Sequence, residues 1–176
     1  MNLNKLTKEL DDVVGDANFI NYGKDVYLAG GWFSERQEQD LLAAAYNLAD
    51  NPTVGHIHIP LLHQYQDSNP IVDGEFNPDQ EWATATFLND VEAINQADVV
   101  VALIEAKNQD TGTIWETAYA YATHKPVIAI VSGNVDKYPV NLMPAQSITH
   151  FANNIGDLEE INLYEIGKKF YKGKLI

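Results

Sequence analysis

The sequence predicts an α/β protein built on a doubly wound parallel sheet with helices on both faces. Two observations carry this expectation. The apolar runs Val99–Ile104 and Pro126–Val131 are continuous and not alternating, the pattern of strands covered on both faces. Strand-like and helix-like segments also alternate along the chain, as βαβ units do. With 176 residues, 45% of them hydrophobic, the chain has the length and the apolar content for one domain with a proper core.

Residues 1–24 are polar, contain no clear strand and read as an appended helix or arm ahead of a domain spanning 25–176. Asp25–Ala29 is the first strand, ended by Gly30-Gly31. Ser34-Glu-Arg-Gln37 opens a helix in capping-box fashion and the helix runs to about Asp50, where Asn51-Pro52 stops it. His56–Leu62 reads as the second strand. The polar loop from Gln64 to Asp79 carries three turn signals, Asn69-Pro70, Asp73-Gly74 and Asn77-Pro78. A helix over 80–96 follows, then the strand Val99–Ile104, a helix over 115–123 and the strand Pro126–Val131. A weak strand over 147–151 and a final helix near 158–170 complete the pattern. Five strands in this arrangement give a flavodoxin-like or Rossmann-like sheet.

Composition narrows the partners. The net charge is −14, from 25 acidic and 11 basic residues. Such a field repels nucleic acid and anionic membranes, so neither is an expected partner. Arg36 is the single arginine, and bidentate phosphate recognition leans on arginine; a substrate with several phosphates is disfavoured. The absence of cysteine removes disulfides and thiolate chemistry and fits a reducing compartment. With no signal-like apolar core or membrane-length run, the expectation is a soluble cytoplasmic protein.

The residues after the third long strand carry the chemistry. Asp110-Thr-Gly-Thr-Ile-Trp-Glu116 sets two carboxylates beyond a strand's carboxyl end, where ligands bind in open α/β sheets. Paired carboxylates are the raw material of glycosidic-bond chemistry. Taken alone, Thr113…Glu116 reads first as a capping box, with Glu116 in the first helical turn, and Asp110 as a turn or N-cap residue; its place at the crevice is what points to chemistry. Asp90 lies about 60° from Phe87 on a helical wheel, at the edge of a stripe formed by Phe87, Val91 and Ile94. A carboxylate there, with Trp82 and Thr86 on the same helix, is either solvated or turned into a pocket. Gly30-Gly31-Trp32-Phe33 lacks dinucleotide or phosphate-loop spacing. It offers either a tight turn with core aromatics or a flat wall against which a nucleobase stacks. His56 and His58 share a strand face but lack a third ligand at a recognised spacing, so they read as structural, and neither a metal nor a cofactor is expected.

Taken in order, these segments resemble the nucleoside 2-deoxyribosyltransferase family over about residues 25–176. The resemblance rests on Tyr27–Phe33, Gln64-Tyr65, Trp82–Asp90, the Asp110…Gly112…Glu116 segment and Asn141-Leu-Met143. It implies an enzyme of nucleoside salvage that moves a 2-deoxyribosyl group between purine or pyrimidine bases. Glu116 would be the nucleophile, forming a covalent deoxyribosyl-enzyme, and Tyr27 a hydrogen-bonding partner of that glutamate. Asp110 would hold the sugar hydroxyls; Gln64 and Asp90 would meet the base, with Asp90 protonating it as it leaves. Gly30, Trp32, Phe33 and Trp82 would line the substrate site. Asn141 and Met143 would reach a neighbouring subunit's site in a homo-oligomer, usually a hexamer in this family. The expected partners are thus deoxynucleosides, free bases and further copies of the chain.

The chain departs from the family at its end, where Ile176 stands in place of the common terminal tyrosine. Two other readings fit the same residues. One is a hydrolase of nucleosides or 5′-monophosphates using the same glutamate; the other is a catalytically silent nucleotide-binding module. Carboxylates at all three of Asp90, Asp110 and Glu116 favour transfer. A position in the first turn of a helix would also keep Glu116 ionised.

Overall fold

The computed structural model describes residues 3–67, 70–72 and 75–176. The main sheet holds β1 (Lys24–Gly30), β2 (Val54–His58), β5 (Val99–Glu105), β6 (Val127–Ser132) and β7 (His150–Phe151), in the order β2-β1-β5-β6-β7. Every pairing in it is parallel. β3 (Ile71–Val72) and β4 (Glu75–Phe76) form a separate antiparallel pair. The helices are α1 (Leu3–Asp16), α2 (Glu35–Ala49), α3 (Gln80–Gln96), α4 (Thr111–Ala122) and α5 (Leu142–Ser147). This is the flavodoxin-like strand order, and its direction reverses between β1 and β5, so the ligand crevice of the fold lies beyond those two strand ends.

The pleat sorts the strand residues into two cores. Val26 and Leu28, Val99, Val101 and Leu103, and Ile128 and Ile130 face α1 and α2. Tyr27, Ala29, Val100, Ala102, Ile104, Val127 and Ala129 face the opposite way, with Ile94 of α3, Ala120 of α4 and Ala145 of α5. Ala29, Ala102 and Ala129 lie side by side across three strands. That row of small side chains gives α4 a close seat on the sheet.

Residues 3–16 form a helix whose Leu6, Leu10 and Val13 recur at helical spacing and are buried in the same core as α2 and Leu61. The expected helices over 34–50 and 80–96 form with nearly the expected bounds. Several expectations are corrected. The helix expected over 115–123 starts at Thr111, and a helix over Leu142–Ser147 precedes the last strand, which is confined to His150–Phe151. The second strand ends at His58 and not at Leu62; Pro60, which has no N–H to give a ladder, opens a 3₁₀ turn over Pro60–Leu62. The loop after Gln64 contains a 3₁₀ turn at Tyr65–Asp67 and the β3–β4 pair, while Asn69 and the Asp73-Gly74 signal fall outside the described residues. The final helix does not form. A 3₁₀ turn at Ile155–Glu159 is followed by an irregular tail, anchored by buried Leu158 and Leu163, a spacing that makes no helical stripe. Among the described residues no helix is long and apolar enough to cross a membrane.

Candidate active site

Tyr27 sits mid-strand on β1 with its ring on the α3–α4 face, fully buried. Its hydroxyl donates a 2.6 Å hydrogen bond to Oε1 of Glu116 on α4. Burial pushes the Glu116 carboxyl up to about 7; the Tyr27 hydrogen bond opposes that rise, and the negative charges of Asp90 and Asp110 add to it. The phenol itself is held far above its ordinary value, by burial first and then by Glu116 and Asp90. It remains a donor at every working pH.

Asp90, on α3, faces the same group. Burial alone raises its carboxyl to about 7, and its Oδ1 is buried without a hydrogen-bond partner among the described residues. The stripe expected on α3 is buried only at Ile94; Phe87 is 49% exposed and meets Trp115 at 5.3 Å. α3 therefore leans over the sheet only at its carboxyl-terminal end, and Asp90 lies where the helix begins to lift away.

Asp110 is the N-cap of α4. Its Oδ2 accepts from the Thr113 N–H at 2.7 Å and from Thr113 Oγ1 at 2.9 Å. Thr113 is thus not the cap, and Glu116 is the sixth residue of the helix, outside any capping box. The expectation that a first-turn position keeps Glu116 ionised is overturned, because the helix-terminus effect fades beyond the first turn and burial dominates. A Cβ at Gly112 would stand 3.1 Å from Asp110 Oδ2, so a larger residue there would press on this cap.

The loops after β1 and β5 are clamped together at the switch point. Buried Gln37 accepts from the Phe33 N–H at 2.9 Å and donates to the Asn108 carbonyl at 3.3 Å. Ser34 donates to Glu105 at 3.2 Å. Gly31 lies against this clamp, 2.8 Å from Gln37 Oε1 by its ideal Cβ, and Gly30 ends β1 against Leu103. Beyond them Trp32 is half-buried and Phe33 exposed, their rings 5.2 Å apart. The sequence marks Ser34 as a cap, which it is, but gives no sign of the Ser34–Glu105 and Gln37–Asn108 bonds, each joining residues 71 positions apart.

Gln64 is buried with Oε1 unpartnered among the described residues. Its loop is tied to α3: Asn89 donates to the His63 carbonyl at 2.6 Å and the Tyr65 N–H to Thr86 at 3.2 Å. Trp82 stands in the first turn of the same helix, edge-on to Phe76 at 5.5 Å. His58, at the end of β2, stacks on Tyr27, and His56 is exposed. Among the described residues no group of three or more His, Asp or Glu side chains is placed to hold a metal ion. Buried side-chain atoms without a hydrogen-bond partner among the described residues occur on Gln64, Asp90 and His58, where a buried polar group ordinarily has one.

Asn141 and Met143 lie apart from this group, exposed at the start of α5. Asn141 caps that helix through the Met143 N–H at 2.9 Å. The chain end is tied beside them, with the Leu142 N–H on the Ile176 carbonyl and the Ile176 N–H on the Val140 carbonyl.

Comparison with known proteins gives one answer. The family model described as nucleoside 2-deoxyribosyltransferase matches residues 26–143. The nucleoside deoxyribosyltransferase of Limosilactobacillus fermentum is 36% identical over 143 residues, 78% of this chain and 84% of that protein. That of Lactobacillus leichmannii is 28% identical over 152 residues, 85% of this chain and 96% of the relative. The solved 2-deoxyribosyltransferase of Bacillus psychrosaccharolyticus superposes with a TM-score of 0.68 at 29% identity, covering 84% of this chain and 98% of its own. The matched stretch runs from β1 to the start of α5 and contains Tyr27, Asp90, Asp110 and Glu116, and on this footing the chain belongs to the nucleoside 2-deoxyribosyltransferase family.

Proposed function

We propose that the protein transfers the 2-deoxyribosyl group of a deoxynucleoside from one base to another through a covalent intermediate on Glu116. The observation that carries this reading is the Tyr27–Glu116 hydrogen bond with Asp90 beside it. Tyr27 occupies Oε1 and favours the ionised carboxylate, leaving Oε2 to attack C1′. The C1′–N bond breaks, its electrons leave with the base, and the proton held by Asp90 goes to the departing ring nitrogen. Burial pushes two carboxyls up to about 7, but only Glu116 receives a donor, so the proton belongs on Asp90. A second base then attacks C1′, the ester to Glu116 breaks, and the incoming base returns a proton to Asp90. Two inversions give net retention.

Asp110 uses Oδ2 for the helix cap, and Oδ1 is the oxygen assigned to the sugar hydroxyls. Gln64 reads the base edge from its buried position. Gly30, Trp32, Phe33 and Trp82 line the approach. Residues 25–176 form the catalytic unit and 1–24 an extension packed on it. The reaction places the enzyme in salvage of bases and deoxynucleosides.

The site is completed in a homo-oligomer, a hexamer by family resemblance. Support comes from the exposed apolar side chains of Trp115, Tyr121, Leu142 and Met143 and from a cavity of about 290 Å³ between α4 and α5, lined by Ile114, Tyr121, Met143 and Pro144. Apolar surface of this kind on a soluble chain marks a contact face. Asn141 and Met143 would enter a neighbour's site from there.

Incubation with deoxyinosine, with and without adenine, tests the reading by chromatography. Deoxyadenosine formed only with adenine supports transfer. Hypoxanthine and free deoxyribose as sole products would replace transfer with hydrolysis, and no turnover would leave a binding module.

A further inference from the structure

The mechanism above uses Tyr27, whose ring shares a buried core with Ile94 of α3 and Ala120 of α4 and also packs against a flat neighbour on β2. Tyr27 and His58 are register partners across β1 and β2, and their rings stack at 5.4 Å with 11° between planes. A third ring, His63, stacks on the other imidazole at 4.3 Å and 20°. His63 is followed directly by Gln64, and its carbonyl is bound by Asn89, the neighbour of Asp90. His58 therefore stands between the phenol and the loop on the base side.

We propose that His58 is a positioning residue for the transfer reaction, aiming the Tyr27 hydroxyl at Glu116 through the Tyr27–His58–His63 ring stack. This rests on the role given to Tyr27 above. Core packing confines the buried phenol, and a flat ring lying along its face fixes its plane as well; a hydrogen bond as short as 2.6 Å tolerates little misdirection. Burial, with His63 and His56 adding like charge, holds the His58 imidazole down at about 3. The ring is neutral through the working pH range and stacks without bringing a cation under the phenol. The role asks for a flat ring and not for a proton donor, which sets His58 apart from the acid–base groups.

A double-mutant cycle tests this, with base exchange measured in His58→Ala, Tyr27→Phe and the double variant. Removing the ring should lower kcat about tenfold in the native background and less than twofold in the Tyr27→Phe background, because the hydroxyl it aims is already gone. His58→Phe, which keeps a flat ring, should recover most of the lost kcat; His58→Leu, of similar bulk but not flat, should not. If His58→Ala is poorly folded, as judged by circular dichroism, the Phe and Leu variants carry the same comparison. Equal fold-losses in both backgrounds, or equal rates for Phe and Leu, would overturn the proposal. Absence of exchange in the native enzyme would instead overturn the transferase reading.

Discussion

The hydroxyl of Tyr27 and the carboxylate of Glu116 share a 2.6 Å hydrogen bond across 89 residues of sequence. The bond joins a buried phenol that never ionises to a carboxyl that burial has brought close to neutrality in pKa. In the proposed reaction one group supplies a fixed dipole, the other the charge that must be present at the moment of attack. Each is placed by a different element, β1 for the phenol and α4 for the acid, so the sheet–helix packing sets their distance.

Glu116→Gln should abolish exchange, with a loss of about 10³-fold or more, while the fold survives. The amide can still accept from Tyr27, so thermal unfolding should differ little from the native protein at pH 6. Exchange persisting within tenfold of native would remove Glu116 as the nucleophile.

Tyr27→Phe should lower kcat/KM by about 10- to 100-fold and also move the acid limb of its pH profile. The Tyr27 bond pulls the Glu116 pKa down; without it the carboxylate needs a higher pH to ionise. The limb should therefore shift to higher pH in the variant. An unchanged or lowered limb would show that Glu116 is not the group titrating there.

Asp90 makes a stability prediction with a definite sign. Its folded-state pKa is about 7 against an ordinary 3.8, so between those values the folded chain binds more protons than the unfolded one. Stability from this group is full below pH 4 and declines as pH rises toward 7. Asp90→Asn should flatten that decline and stabilise the protein at pH 8 by on the order of 1–2 kcal/mol, read from melting curves at pH 5 and 8. The same variant should lose exchange with ordinary bases yet keep cleavage of a deoxyriboside whose leaving group departs as a stable anion.

The strands β1, β5 and β6 were legible because their residues are apolar on both faces, whereas β2, with His56 exposed, was misjudged at its end and the β3–β4 pair was missed. The direction of the chain through β1, β2 and β5 follows from handedness and connection length. Capping at Ser34 and the bounds of α3 were legible for the same local reason. The tail was not: Leu158 and Leu163 hold it by burial alone, and its backbone pairs with Val140, Thr149 and Phe151, partners that local periodicity cannot reveal. In the site, Glu116, Asp90 and Asp110 stood out as carboxylates, but the start of α4 was misplaced. Asp-Thr-Gly-Thr contains two possible caps, and only the fold selects Asp110 over Thr113. The raised pKa of Glu116 and the ring stack on His58 depend on what lies overhead, so sequence spacing gave no view of them.

Asp110 carries two duties that one variant can separate. Its Oδ2 caps α4 with two hydrogen bonds, and its carboxylate is also assigned to the sugar. Asp110→Ala removes both and should cost about 1–2 kcal/mol of stability along with most of the activity. Asp110→Ser keeps an N-cap oxygen for the Thr113 N–H but offers the sugar no carboxylate. Its melting temperature should return close to native while KM for the deoxynucleoside stays raised, by about tenfold or more for a lost charge-assisted bond. Recovery of both properties in Asp110→Ser would mean that Asp110 is a cap alone and that the sugar is held elsewhere.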